Sequence, residues 1–186
     1  MGPDDGRHEQ GSAGARTGWD PTWRAILWGQ FGAAIDMLEN AVRACPDDLW
    51  RDRIRRPEYW YVVYHTLFWL DLYLSGAREG FAPPAPFTLD ELDPAGLLPE
   101  RPYEKAELLG YLAHGREKCR ATLATLTEER AGERCAFRWG APSFLELLLY
   151  NLRHVQHHAG QLHLVLRQET DSAPGWVGRA GTDLGA

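Results

Sequence analysis

Four histidines lie in one apolar segment near the C-terminus of the chain, YNLRHVQHHAGQLHLVLRQ. On an α-helix, where successive residues are about 100° apart, His154 and His158 share one face and are separated by one turn. Gln161 lies on the same side, and His163 points to the opposite side. Neutral imidazoles are common ligands of transition metals, so this pair predicts half of a metal site.

The second half of the predicted site is a single histidine in the segment YWYVVYHTLFWLDLYL. His65 stands there among aromatic and branched apolar residues, so its ring nitrogens need partners once the helix is buried. A metal bound jointly by His65, His154 and His158 explains both segments. The alternative is a hydrogen-bonded core histidine on one helix and a polar edge on the other.

Three protein ligands leave a metal with a coordination position for water or for a substrate. Three imidazoles suit Zn²⁺, and also Ni²⁺, Fe²⁺ or Mn²⁺. A metal-bound thiolate would serve a transferase, and metal-bound water would serve a hydrolase. A purely structural metal in a non-catalytic helical protein is the third interpretation of the same residues.

Three further side chains are weaker candidates for catalytic roles. His157 lies about 60° from the axis of the site, where it could support a ligand, contact a substrate or be exposed. Gln161 could orient a ligand or a bound water, or form an inter-helix hydrogen bond. Glu58 could be an acid or base at the pocket rim, although the helix dipole also favours a carboxylate there. His114 and His163 are expected at the surface.

Four segments with helical spacing of apolar residues must position these side chains. Each begins close to a proline, and the predicted helices span 20–44, 57–74, 102–126 and 142–168. The chain is therefore predicted to be all-α. Residues 76–100, here called the connector, are rich in proline and longer than the ~2 to 8 residues that join antiparallel neighbours. We expect a four-helix bundle in which this connector crosses over between the second and third helices.

The length of 186 residues and the hydrophobic content of 44% fit one domain with a buried core. We predict a disordered N-terminal arm over 1–18, a metal-binding bundle over 19–169 and a flexible tail over 170–186. The arm lacks the apolar segment of a signal peptide. The densest apolar run, residues 59–74, is too short to cross a bilayer, so no membrane partner is expected.

The charge balance and the cysteines restrict the expected partners and location. The net charge of −6, from 20 Lys and Arg against 26 Asp and Glu, argues against nucleic acid as the main partner. Cys45, Cys119 and Cys135 form no CxxC pair and no disulfide framework, which favours a reducing cytoplasm. Cys119 falls on an apolar stripe and is expected to be a small core residue rather than a nucleophile.

The histidine in the second helix, followed in the last helix by HVQHHAGQLHLVLR, resembles the DinB/YfiT-like family of metalloenzymes. The likeness covers residues 20–168. The family's helix-two histidine and its HxxxH pair match His65, His154 and His158. Its frequent HHxGQ continuation is present at 157–161.

The resemblance implies a divalent metal, often zinc or nickel, in a bundle that commonly forms a homodimer. Family members of known activity include thiol S-transferases that use bacillithiol or mycothiol, and a mycothiol-dependent maleylpyruvate isomerase. The resemblance therefore implies a metal-dependent transferase that acts on a low-molecular-weight thiol and a small electrophile. A metal-dependent hydrolase and a non-catalytic, metal-stabilised stress-response bundle are the alternatives.

Overall fold

The structure of the chain, a computed structural model, describes residues 21–184. The regular elements in this range are helical, which confirms the predicted all-α class. In chain order they are α1 (Pro21–Ala44), α2 (Asp47–Trp50), α3 (Tyr59–Ser75), a 3₁₀ turn (Asp90–Leu92), α4 (Lys105–Ala124), α5 (Glu128–Gly132) and α6 (Phe144–Thr170). None of these described helices is long and apolar enough to span a membrane.

The four predicted helices correspond to α1, α3, α4 and α6, but three of them begin two or three residues later than predicted. The residues just before these helices, Glu58, Glu104 and Ser143, have extended backbone and act as N-caps. Each predicted opening proline therefore lies before the cap instead of in the first turn. The predicted cap of α1, Asp20, lies outside the described residues.

Two short helices and one small loop were not predicted. Helices α2 and α5 have four and five residues, which is too short for a periodic apolar pattern to be visible in the sequence. Residues 134–143, here called the hairpin loop, are joined by isolated bridges between Arg134 and Ser143 and between Phe137 and Gly140. The hairpin loop leads directly into α6.

The four long helices enclose a core of aromatic and aliphatic side chains. Helices α1 and α3 each pack against both α4 and α6. Trp60, Tyr64 and Phe68 of α3 are at most 1% exposed. Helix α3 is thus apolar on nearly all sides because it has neighbours on nearly all sides.

Contacts along α3 show which parts of α3 and α4 lie together. The ring of Tyr64, in the first half of α3, lies 4.9 Å from the ring of Tyr103, which immediately precedes the cap of α4. Near the end of α3, Ser75 accepts a hydrogen bond from Lys118 in the later part of α4, at 2.7 Å. Helices α3 and α4 therefore run parallel, with their beginnings together and their ends together.

Helix α6 runs antiparallel to α3. Asn151, near the beginning of α6, donates a 3.0 Å hydrogen bond to the carbonyl of Leu70 in the later part of α3. Glu169, at the end of α6, pairs with Arg55, which precedes α3. Asn151 is fully buried, so this bond fixes the register of the two helices inside the core.

The segment that follows α6 packs against α1. The backbone N–H of Ala180 donates to the carbonyl of Gly29 at 2.8 Å. The indole Nε1 of Trp28 donates to the carbonyl of Thr182 at 2.7 Å. Residues 171–184 are irregular in conformation, yet these bonds hold them on the helix.

These contacts are made by residues 171–184, which belong to the tail predicted to be flexible over 170–186. The segment combines backbone hydrogen bonds with the packing of Ala173, Val177, Ala180 and Leu184 against the core, and these residues have no helical or strand period that would show in the sequence. Residues 185–186 lie outside the described residues, as does the predicted disordered arm over 1–18.

Gly32 of α1 should be required for this packing, because a Cβ atom added there would lie 2.6 Å from the Cβ of Ala180. Alanine is favoured over glycine in helices by about 1 kcal/mol, but overpacking costs about 1–3 kcal/mol. We expect Gly32→Ala to lower the free energy of unfolding by about 1 kcal/mol in urea titrations. Gly110→Ala in α4, where the added Cβ meets nothing within 4 Å, is the matched control and should be neutral or stabilising. An equal rise in the free energy of unfolding in Gly32→Ala and Gly110→Ala would contradict the close approach of Gly32 to Ala180.

Candidate metal centre

The structure brings together the three histidines that the sequence singled out. His65 of α3 and His154 and His158 of α6 point their Nε2 atoms toward one another. The Nε2 atom of His154 lies 3.3 Å from that of His65 and 3.1 Å from that of His158. Among the residues that the structure describes, this is the one group of His, Cys, Asp or Glu side chains placed so that it could hold a metal ion.

The spacing of these nitrogens fits a metal ion. With a metal–nitrogen bond of about 2.1 Å, neighbouring ligand atoms are about 3.4 Å apart in a tetrahedral site and about 3.0 Å apart in an octahedral one. The two Nε2–Nε2 distances, 3.1 and 3.3 Å, fall in this interval. The three rings therefore need no large movement to share one ion.

Glu91, in the 3₁₀ turn of the connector, determines how His65 is turned. Its Oε2 accepts hydrogen bonds from Nδ1 of His65 at 2.7 Å and from Nε1 of Trp69 at 2.9 Å. Since an ionised carboxylate only accepts, Nδ1 of His65 carries its hydrogen, and the lone pair on Nε2 faces the other two histidines. A carboxylate behind a histidine in this way is the usual support of a metal ligand.

Glu91 was not among the residues predicted from the sequence. It lies in the acidic stretch DELD of the connector, which has no period that would place it near α3. The available signal was indirect: a buried His65 that uses one nitrogen for a metal needs a partner for the other. That requirement predicts a carboxylate or carbonyl but does not say which one.

The carboxylate of Glu91 is only 4% exposed and is nevertheless ionised. Burial raises its pKa, but the hydrogen bonds and charge interactions led by His65 outweigh burial, so the pKa of Glu91 lies below its ordinary value. A buried negative charge next to three converging nitrogens favours a cation at this place.

Gln161 supports His158 as Glu91 supports His65. Its Oε1 lies 2.7 Å from Nδ1 of His158, so the amide oxygen accepts and Nε2 of His158 is left with its lone pair toward the site. Both residues belong to α6, so this contact is not the inter-helix hydrogen bond that was the alternative for Gln161. The amide orients a ring of the triad.

Hydrogen bonds alone do not satisfy the three rings. Nε2 of His154 can donate its one hydrogen toward His65 or toward His158, but both of these present lone pairs. Nδ1 of His154 is buried without a hydrogen-bond partner among the described residues whether or not Nε2 binds a metal, so only the three Nε2 atoms distinguish the two states. A cation would accept all three Nε2 lone pairs at once, so the donor set fits a metal better than a metal-free network.

Two of the rings are held in the neutral form that a metal ligand requires. Burial, with smaller contributions from the neighbouring histidines, lowers the pKa of His154 to about 3. Burial likewise lowers the pKa of His158 to about 4, against a raising effect of its bond to Gln161. At pH 7 both imidazoles therefore have a free lone pair.

The other weak candidates lie away from the three nitrogens. His157 is exposed, and its ring centroid lies 5.1 Å from that of His158. Glu58 is buried at the beginning of α3, where it accepts a 2.6 Å hydrogen bond from Trp60 and pairs with Arg53 at 3.0 Å. These contacts fit the alternative of a helix-start carboxylate.

One surface prediction was wrong and one agrees with the structure. His163 is 7% exposed, and its Nε2 lies 2.9 Å from the carbonyl of Met37. The face of α6 opposite the triad packs on α1, so both sides of this helix are partly covered. His114 is exposed, with its ring 3.5 Å from the carboxylate of Asp71.

The three cysteines are free thiols buried in the core. Burial raises the pKa of Cys45 to about 12 and raises the pKa of Cys119 well above its ordinary value. Thiols in this state remain protonated at neutral pH and are poor nucleophiles. The chain's own cysteines therefore do not supply a reactive sulfur to the site.

Aromatic side chains lie around His65, and an open cleft lies on the far side of Trp69 and Glu91. The rings of Tyr61 and Trp69 lie 6.2 and 6.3 Å from the ring of His65. Beyond Trp69 and Glu91 lies a cleft of about 580 Å³, here called the connector cleft, between the connector, the hairpin loop and the side chains of Trp69 and Leu72. A ligand in this cleft would lie against the residues that hold His65.

Comparison with known protein families identifies the superfamily of the chain. The model of the DinB superfamily matches residues 16–162, which is most of the chain and includes all three histidines of the site. The chain belongs to the DinB superfamily, as the sequence resemblance indicated. No curated protein matches the chain.

Glu91 should contribute to metal affinity although it is not predicted to touch the metal. Loss of such a supporting carboxylate typically weakens binding about 10- to 100-fold. We expect this loss for Glu91→Gln in competition titrations with zinc. Asp90→Asn, the neighbouring acid of the same turn, is the control and should bind zinc as the wild type does. Equal affinity in Glu91→Gln and wild type would contradict the role of Glu91.

The depressed histidine pKa values should make the metal-free fold sensitive to acid. His154 and His158 titrate at 6.5 when unperturbed, but at pKa values of about 3 and about 4 in the folded chain. Below pH 6.5 the unfolded state binds protons that the folded state does not, so the free energy of unfolding falls as the pH falls toward 4.

Urea unfolding of chelator-treated protein at pH 7 and pH 4.5 measures this loss. We expect the free energy of unfolding to fall clearly less between pH 7 and pH 4.5 in His154→Ala/His158→Ala than in the wild type. His157→Ala, which removes an exposed neighbour, should keep most of the wild-type loss. Identical pH dependence in wild type and the double variant would show that the two rings do not cause it.

Proposed function

We propose that this member of the DinB superfamily is a metal-dependent transferase that joins a low-molecular-weight thiol to a small electrophile. The proposed metal ligands are His65, His154 and His158, and the proposed metal is zinc or nickel, with iron or manganese as further choices. The observation that carries the proposal is the convergence of three Nε2 atoms, two of them oriented by Glu91 and Gln161, beside an open cleft.

A metal bound at this site would supply a cation that lowers the pKa of a thiol and raises the fraction of thiolate at neutral pH. The side chains of the protein orient the proposed metal ligands. Glu91 and Gln161 hold the Nδ1 hydrogens of two rings, so that the Nε2 lone pairs face one point. Tyr61 and Trp69 cover one side of His65 and limit the access of water.

The proposed transfer forms a bond between the thiol sulfur and a carbon atom of the electrophile. The leaving group departs with the electron pair of its broken bond, and the thiol proton passes to solvent. The sulfur must come from a small molecule, since the three cysteines of the chain are buried. No acid or base of the chain is assigned to this step.

We further propose that α1, α3, α4 and α6 form a four-helix bundle within a domain spanning residues 19–169. The contacts between the beginnings of α3 and α4 support a connector that crosses over the bundle, because the connector must return the chain from the end of α3. The proposed cytoplasmic location rests on the free cysteines, and the proposed homodimer rests on the family.

His65→Ala should lose thiol-conjugating activity, because it removes one of three ligands while leaving a small side chain in a half-buried position. Wild type and variant would be purified without chelator or affinity metal, analysed for metal by mass spectrometry and assayed with cysteine-containing thiols and a chloronitrobenzene. We expect about one metal per chain in wild type, little in His65→Ala, and a drop in activity of more than about tenfold.

His157→Ala is the matched control, since this histidine is exposed on the same stretch of α6. It should retain metal and activity. Full activity of a folded His65→Ala would contradict the transferase proposal. Ester or amide hydrolysis without thiol transfer would favour a hydrolase, and a metal-loaded protein that binds no thiol would favour a structural metal.

A further inference from the structure

We propose that the connector cleft binds a small zwitterionic ligand with a flat apolar body, of the aromatic amino-acid type. The proposal rests on the proposed function in taking this ligand as one of the two substrates. At about 580 Å³ the cleft is large enough for a small molecule, because ligand sites commonly measure about 300–1,000 Å³.

Two guanidinium groups reach the cleft from different parts of the chain. Arg78 stands at the start of the connector and Arg138 in the hairpin loop, and both line the cleft. Neither side chain forms a hydrogen bond or an ion pair with another described residue, whereas Arg130 nearby pairs with Glu133. Unpaired guanidinium groups that face one cleft are suited to a carboxylate, which they can bind through two parallel hydrogen bonds.

Carboxylates line the same cleft, so its charge is mixed. Glu79 has no partner among the described residues, and Asp93 uses one oxygen to accept from the backbone N–H of Ala95. The Oε1 atom of Glu91 is closed off from solvent, and the hydroxyl of Tyr61 lies within reach of this carboxylate, so Oε1 is not available to a ligand in the cleft. Glu79 and the second oxygen of Asp93 are the acceptors with which a ligand ammonium group can pair.

The remaining walls of the cleft are apolar and flat. Trp139 is 48% exposed, and its ring stacks on that of Tyr150 at 4.5 Å and 23°, with the ring of Phe137 at 6.0 Å and 10°. Trp69 also lines the cleft and holds its indole N–H on Glu91. The exposed part of Trp139 gains from covering by an apolar group, so the charged ends of the ligand should be joined by a flat apolar group.

Three probes with one skeleton separate these requirements. L-Phenylalanine carries both charges, 3-phenylpropionate lacks the ammonium group and phenethylamine lacks the carboxylate. In calorimetric titrations we expect phenylalanine to bind at least about tenfold more tightly than either of the others, as loss of a charge-assisted hydrogen bond predicts. Equal binding of phenylpropionate or of phenethylamine would overturn the zwitterion assignment.

Arginine variants test whether phenylalanine binds in the connector cleft. Arg78→Gln/Arg138→Gln should weaken phenylalanine binding at least about tenfold. Arg134→Gln, on the same hairpin loop but outside the cleft lining, should leave it unchanged. Unchanged binding in the double arginine variant would overturn the proposal.

The triad variant distinguishes this proposal from the proposed function. Phenylalanine should still bind to His154→Ala/His158→Ala, because the cleft groups do not include these histidines. Loss of binding in that variant would mean that the probe binds at the histidine site, and would overturn the cleft assignment. Binding to a wild type that shows no transferase activity would leave the cleft in place and refute the proposed function alone.

Discussion

The buried contact between α3 and α6 is the constraint on which the site depends. Three ring nitrogens from two helices approach within 3.1 and 3.3 Å, which is possible only in one register of the helices. The buried hydrogen bond from Asn151 to the carbonyl of Leu70 holds that register one turn away from His154. A shift of one residue would turn each ring about 100° away from the others.

The connector contributes the side chain that orients His65. Its 3₁₀ turn inserts Glu91 behind His65, and the same residue lines the cleft. An ionised carboxylate at 4% exposure is unfavourable by itself, so the hydrogen bonds that it accepts from His65 and Trp69, with the nearby hydroxyl of Tyr61, are needed to stabilise it there. One side chain therefore links the orientation of a predicted metal ligand to the shape of the neighbouring cleft.

The helical period was sufficient to predict the four long helices and to place His154 and His158 on one face, since both follow from local geometry. The sequence could not give Glu91, because the position of an irregular connector depends on tertiary contacts. The burial of His163 was missed for a related reason: the pattern shows that two faces of α6 differ, but not that a second helix covers the polar one. The docking of residues 171–184 combines hydrogen bonds to backbone carbonyls with a few apolar contacts that follow no regular period, so no pattern in the sequence indicates it.

The hairpin loop, with Phe137 and Trp139 stacked at its tip, is separate in sequence from the three histidines, and most of the remaining cleft wall belongs to the connector. Loops of this kind accept substitutions and insertions more readily than packed helices do. Evolution could therefore exchange the ligand that the cleft admits while the chemistry of the helices stays the same. Glu91 is the exception among the cleft residues, because it also holds His65, so Glu91 and His65 should be conserved together.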